Sequence, residues 1–283
     1  MKKNIAIIFV MIGMLVGIYY LISTKDFTEP AMTFPEELEG NGCVGLTYHR
    51  IRNQNPLYSM IGFLTHSEEL MKYSVYAEQF EEQMKTLKEQ GATFLTPNEL
   101  REAKRTGDIP IKCVWISFDD IDTSVYNNAF PILKKYEIPF TIFIIAGQVG
   151  KDFSNLEMAS WEQLQEMVKS GLVTVGSHTY DMHAFSGEQP VFFLEDRFID
   201  FKKDLLLSKK TLEENLAVEV NDFAYPFGNG QEKLAEAIKQ SGYESASILA
   251  PRAITSDNDN YWLNRILVNQ PVFEEHILPW VKK

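Results

Sequence analysis

Basic residues are in short supply: 27 lysines and arginines stand against 39 aspartates and glutamates, for a formal charge of −12. Nowhere do they cluster, which excludes a nucleic-acid or polybasic lipid-binding role, because neutralising phosphates needs grouped Lys and Arg. Cysteine is nearly absent. Cys43 and Cys113 match no zinc-ligand spacing and sit in apolar stretches, so they are expected as buried free thiols acting as small hydrophobes. Low-complexity segments and internal repeats are missing too, and with 45% hydrophobic residues the chain has ample material for a core. Its 283 residues suffice for one large domain or two small ones.

The one long apolar run is N-terminal. Lys2 and Lys3 precede Ile5 to Ile22, 18 residues without a charge. As a helix this run spans ~27 Å, close to a hydrocarbon core. It is longer than a usual signal-peptide core, and Tyr19-Tyr20-Leu21-Ile22-Ser23-Thr24 offers no small-x-small cleavage site, so residues 1–24 read as an anchor in preference to a cleaved signal. Positive-inside orientation then puts the rest outside the cytoplasm, at the outer face of the membrane. Residues 25–41, with Pro30, Pro35 and acidic side chains, read as a tether, and residues 42–283 as the working domain.

Within that domain short apolar runs alternate with amphipathic ones. Strands are expected at residues 41–49, 112–118, 141–146, 172–177, 221–225 and 244–249. Helices are expected at 74–90, after Thr96, through Pro131 to Tyr136, and at 160–170, 195–216 and 231–240. Thr96-Pro97-Asn98-Glu99 and Ser160 with Gln163 are capping boxes that fix two helix starts. This rhythm means βαβ units and a parallel sheet of about seven strands, either closed into a barrel or open and doubly wound. In both architectures chemistry sits beyond the C-terminal ends of the strands, where the polar motifs of this chain occur.

Four motifs stand there. Ser117-Phe118-Asp119-Asp120 follows an apolar strand, and adjacent carboxylates repel unless a cation neutralises one and leaves the other as a base. They could also cap the next helix, as could Asp122 and Thr123. His178-Thr179-Tyr180-Asp181-Met182-His183 holds two of only five histidines, spaced so that both imidazoles can meet one ion, although a solvated loop pair is commoner. Phe223-Ala224-Tyr225-Pro226-Phe227-Gly228 is a turn that could aim the Tyr225 N–H at a developing oxyanion, or an ordinary corner. Tyr48-His49-Arg50 ends the first strand and offers His49 as a proton donor, or as a structural histidine.

In this combination the motifs resemble the polysaccharide deacetylases of carbohydrate esterase family 4, and most of all the branch acting on poly-β-1,6-N-acetylglucosamine in biofilms. The resemblance runs from about Gly42 to Val268. It implies a distorted (β/α) barrel forming a single catalytic domain, with Asp119 as base, Asp120, His178 and His183 as ligands of one divalent ion, Tyr225 as oxyanion donor and His49 as acid. The five-residue histidine spacing and the placement of Leu46-Thr47-Tyr48-His49 at the start, as a circular permutation, are features that this branch shares. The third motif lacks the arginine that orients the base in many relatives. One carboxylate with two imidazoles suits zinc first, and nickel, cobalt or iron as well. The implied substrate is a β-1,6-linked N-acetylglucosamine polymer. The rivals are deacetylation of peptidoglycan or chitin-type oligomers and, in another class, a glycan-binding surface protein with a relic site. A monomer is expected.

Two local expectations remain. The apolar segment Leu57 to Leu64 reads as an exposed rim touching lipid or substrate, or as a stretch buried under a helix, and the resemblance, whose biofilm branch has an apolar loop at the matching place, implies membrane contact. Cys43 and Cys113 precede His49 and Asp119 by equal offsets. They should lie at one depth, ~20 Å below the chemistry. They are expected to remain unbridged, because neighbours in a parallel sheet seldom converge.

Overall fold

Seven parallel strands follow one another around a closed barrel in the order in which they occur in the chain. They are β1 (Cys43–Tyr48), β2 (Cys113–Asp120), β3 (Phe140–Ile144), β4 (Val173–Ser177), β5 (Asp222–Ala224), β6 (Ser245–Leu249) and β7 (Leu263–Leu267). Each pairs with its predecessor, and β7 returns to β1 with Leu46 opposite Ile266. That last pairing closes the sheet and excludes the open doubly wound alternative. The structure, a computed structural model, describes residues 33–40, 42–54 and 68–283. The apolar run of residues 1–24, most of the tether and the segment Leu57 to Leu64 lie outside the described residues. Among the described residues no helix is long and apolar enough to cross a membrane.

Helices pack around the outside: α1 (Ala77–Glu89) and α2 (Pro97–Thr106) between β1 and β2, then α3 (Phe130–Tyr136), α4 (Trp161–Lys169), α5 (Phe198–Leu216) and α6 (Glu232–Gln240) between later strands. Both capping boxes form. The Glu99 N–H donates to Thr96 Oγ1 and the Thr96 N–H to Glu99 Oε2, while Ser160 and Gln163 exchange the same pair of bonds. Strand side chains alternate between two clusters, as the two-residue period demands. Val44, Leu46, Tyr48, Val114, Ile116 and Phe118 join the large cluster with Phe80, Met84 and Leu87 of α1. Cys43, Cys113, Trp115, Phe143, Ala224 and Leu263 form a smaller inner cluster, with Leu100 of α2 packed against it. Full burial of each such large apolar side chain contributes about 1.5–3 kcal/mol.

Three expectations need correction. Residues 74–76 are not the first turn of a helix: Ser74–Tyr76 pairs in parallel with Arg50–Arg52, and α1 starts only at Ala77. Here Val75 and Tyr76, good strand formers, found a partner strand from elsewhere in the chain. The seventh strand, Leu-Asn-Arg-Ile-Leu, was not among the expected strands, because a charge at its centre hides the apolar alternation. Most plainly, the cysteines are bridged. Equal depth holds, with Cys43 directly opposite Cys113 in the β1–β2 register, but the two form a disulfide with Cα atoms 4.4 Å apart. Both side chains point into a narrow barrel, so in-register neighbours converge there, within the range that a disulfide spans.

Candidate metal centre and its two carboxylates

Asp119 and Asp120 finish β2, and the backbone turns sharply directly after them. The Ile121 N–H donates to Asp119 O at 2.8 Å across a three-residue turn, with Asp120 at φ 69° and Ile121 at φ 61°. A left-handed conformation is costly for a β-branched residue, about 1–3 kcal/mol, and such strain persists where the surroundings dictate it. Its effect is to send two neighbouring carboxylates to different surroundings.

Asp119 faces into the barrel and meets Arg265 of β7. Arg265 Nη1 donates to Asp119 Oδ1 at 2.6 Å and Nη2 to Oδ2 at 2.9 Å, a two-pronged pair between fully buried groups. Arg265 Nη1 also donates to Thr47 Oγ1 and Ser117 Oγ, at 3.0 and 3.2 Å, which ties β1, β2 and β7 at one point. The guanidinium lies 4.9 Å from the ring centre of Phe143. Space for that ring comes from Gly176, where a Cβ would stand 2.5 Å from Phe143. Burial by itself would raise Asp119, but the Arg265 charge and hydrogen bond, together with His178 and His49, hold the carboxyl below the usual range. The base position is thus a carboxylate that is ionised and ready to take a proton, and is held in one orientation by the fork. The arginine missing from the Ala-Tyr-Pro-Phe-Gly motif is supplied from a distant strand. Sequence reasoning missed it, and the available signal was an arginine in the middle of an apolar run, Leu263 to Leu267.

Asp120 faces the histidines. Its Oδ1 lies 3.7 Å from His178 Nε2 and 3.4 Å from His183 Nε2, and one ligand atom from each of the three residues falls within 4.8 Å of the others. His178 Nδ1 bonds to Ala224 O at 2.8 Å, as donor to a carbonyl, which leaves the Nε2 lone pair for the shared space. Burial pushes His183 down to about 4 against the opposing pull of Asp120, so its imidazole is neutral at neutral pH. Asp120 is held well below the usual range: burial raises it, and the surrounding basic groups, His183 and Arg50 first, then His49 and His178, together outweigh that. The loop joining the histidines is fixed by Asp204 of α5, which accepts the N–H groups of Tyr180 and Asp181, both at 2.8 Å. Thr179 takes a left-handed φ of 76° in that loop.

A cation fits this donor set. Asp120 Oδ1 is buried, aimed at two imidazole nitrogens, and has no hydrogen-bond partner among the described residues. Leaving such an oxygen bare costs free energy that a divalent ion between carboxylate and imidazoles removes.

His49 stands at the end of β1, half-buried, its ring 4.9 Å from that of Tyr73 and its Nδ1 without a partner among the described residues. Burial lowers it to about 4, although Asp120 and Asp119 pull the other way. Since Tyr48 is in register with Phe118, His49 and Asp119 end their adjacent strands at one level.

Tyr225 is placed differently from expectation. Its N–H donates to Ser247 O at 3.1 Å and is used in the sheet, while its ring is fully buried and stacked 5.7 Å from Trp262. It cannot be the oxyanion donor in this arrangement. The residue of that turn which reaches the cluster is Phe227, at φ 61°, its ring centre 4.4 Å from that of His183.

Comparison with known proteins fits this geometry. The model of the polysaccharide deacetylase family matches residues 106–246. Over 241 residues the chain is 40% identical to a poly-β-1,6-N-acetyl-D-glucosamine N-deacetylase of Staphylococcus aureus, covering 85% of this chain and 83% of that protein. The chain belongs to the polysaccharide deacetylase family. A Staphylococcus epidermidis enzyme of the same name is 39% identical over 243 residues, covering 86% of this chain and 84% of its own length. The solved structure of IcaB from Ammonifex degensii superposes with a TM-score of 0.76 at 34% identity, over 87% of this chain and all of that one. The family-model match spans both aspartates and both clustered histidines but excludes β1 and β7, the strands that bring His49 and Arg265.

Proposed function

We propose that the chain removes N-acetyl groups from a poly-β-1,6-N-acetylglucosamine at the cell surface, as a divalent-metal-dependent hydrolase. The observation that carries this is the division of the adjacent pair: Asp119 locked by Arg265, Asp120 turned to His178 and His183. The names of the staphylococcal relatives support the substrate.

Asp120, His178 and His183 would hold the ion, which when bound polarises the acetyl group and favours ionisation of water. Zinc suits these donors, and nickel, cobalt or iron also fit. In hydrolysis, water oxygen adds to the acetyl carbon, the C–N bond breaks, and acetate and a free amine leave. Asp119 accepts the proton of the attacking water, and the Arg265 fork keeps it aimed while it does so. His49 starts neutral, so it takes up a proton from solvent before passing it to the departing nitrogen, and the proton that Asp119 took from water returns to solvent as the products leave. We further propose that the residue 5–22 run anchors the enzyme outside the cytoplasm as a monomer, with Leu57 to Leu64 against the membrane.

The test is incubation of the full chain with β-1,6-linked N-acetylglucosamine oligomers, scoring free amine with and without a chelator. Deacetylation abolished by chelator and restored by added metal is expected. Faster release from β-1,4-linked chitin oligomers would move the assignment to the rival substrate, and no release from either would favour a glycan-binding relic.

A further inference from the structure

The outer oxygen of Asp120 has a partner that belongs neither to the metal cluster nor to the base. Oδ2 accepts from Arg50 Nη1 at 2.9 Å, while Oδ1 faces the two imidazoles. Arg50 is 6% exposed and held at both ends. Its N–H donates to Tyr73 O at 3.0 Å, and its Nε forms an ion pair with Glu69 Oε1 at 3.2 Å without a hydrogen bond, while that oxygen accepts from Arg52 Nη2 at 2.9 Å. The fork therefore links Asp120 to the short helix Glu68–Met71, and its position is set by backbone pairing between Arg50–Arg52 and Ser74–Tyr76.

A carboxylate beside a divalent cation can bind through one oxygen or through both. With the second oxygen engaged by a buried guanidinium, two-oxygen binding requires breaking a charge-assisted hydrogen bond. We infer that Arg50 is a positioning residue that restricts Asp120 to ligation through Oδ1 alone. This inference rests on the reading of Asp120, His178 and His183 as ligands. The consequence is functional, since a hydrolytic metal centre must keep open positions for water and substrate, and a second carboxylate oxygen would take one. Lysine could not substitute, because a point charge cannot reach Asp120 and Glu69 as a fork.

The test strips the full chain of metal, titrates it with Co²⁺ and compares it with Arg50→Gln, Arg50→Lys and Arg52→Gln. Cobalt absorption weakens as its coordination number rises. Arg50→Gln should bind Co²⁺ no more weakly than the unaltered chain, show weaker visible absorption, and lose about 10–100-fold in turnover. Arg50→Lys should show the same spectral weakening even if Arg50→Gln fails to fold. Arg52→Gln, which disturbs Glu69 without touching Asp120, should leave the spectrum as it was. An unchanged spectrum in both Arg50 variants overturns the inference, as does Co²⁺ affinity falling in step with turnover. Retention of Co²⁺ by His183→Ala would instead remove the metal centre itself, whatever Arg50 does.

Discussion

At one end of β1 and β2 a disulfide joins Cys43 to Cys113 among Trp115, Leu263 and Ile254. At the other end the same two strands present His49, Asp119 and Asp120, all buried or half-buried, with a strained turn and a bare carboxylate oxygen. The lower end is apolar and covalently joined. The upper end confines like charges and holds them apart with two arginines, each serving one aspartate: Arg265 for Asp119 and Arg50 for Asp120. The contrast teaches a division of labour along a single pair of strands, with an apolar covalent lock below and paired, reactive charges above.

The largest way to break this contrast is Arg265→Met. It leaves Asp119 buried without its counter-charge, and removing one partner of such a pair costs about 3–5 kcal/mol. Denaturant unfolding should show that loss, together with turnover collapsing. The double variant Arg265→Met/Asp119→Asn should recover much of the stability and none of the activity. If Arg265→Met unfolds like the unaltered chain, the fork does not hold the base.

Breaking the lower end should cost stability without touching turnover. Replacing Cys43 and Cys113 by alanine opens a link between residues 70 apart in sequence. The expected loss is about 2–4 kcal/mol of stability. Turnover per folded molecule should not change. Thiol counting on the unreduced, denatured chain should find no free group, and a count of two would remove the covalent half of the contrast.

A smaller effect concerns Asp204, which braces the histidine loop from α5. Burial raises its carboxyl to about 6, in spite of the two backbone N–H groups it accepts. A folded-state value above the unfolded one means that the folded chain binds the proton more tightly. The associated stability is complete below the unfolded value and is lost as pH rises through about 6. Asp204→Asn cannot ionise, so its melting temperature relative to the unaltered chain should shift upward between pH 4 and pH 8. A constant difference across that range would remove Asp204 as a titrating brace.

Much of the upper end was legible in the sequence because its parts are local. Asp119-Asp120 and His178 to His183 are short motifs at strand ends, and the Thr96 and Ser160 capping boxes mark helices by contacts three residues apart. What escaped was long-range. Arg265 meets Asp119 across 146 residues, and no spacing announces such a pairing. Ser74–Tyr76 became a strand because Arg50–Arg52 was available to pair with it. The cysteines show both sides: equal offsets gave their common depth, while convergence depended on how tightly the barrel curves. Tyr225 failed for a similar reason, since which N–H of a turn is spent in the sheet depends on the neighbouring strand that brings Ser247.

The central claim is that two adjacent carboxylates do different work, and one paired measurement tests it. Asp119→Asn and Asp120→Asn are purified as full chains, and bound metal and amine release from β-1,6-linked N-acetylglucosamine oligomers are determined on the same samples. Asp119→Asn should keep its metal and lose turnover by about 10²–10⁴-fold, because a neutral amide cannot accept the proton from water. Asp120→Asn should lose metal and turnover together. Near-full activity in Asp119→Asn, or full metal content in Asp120→Asn, would contradict the assignment.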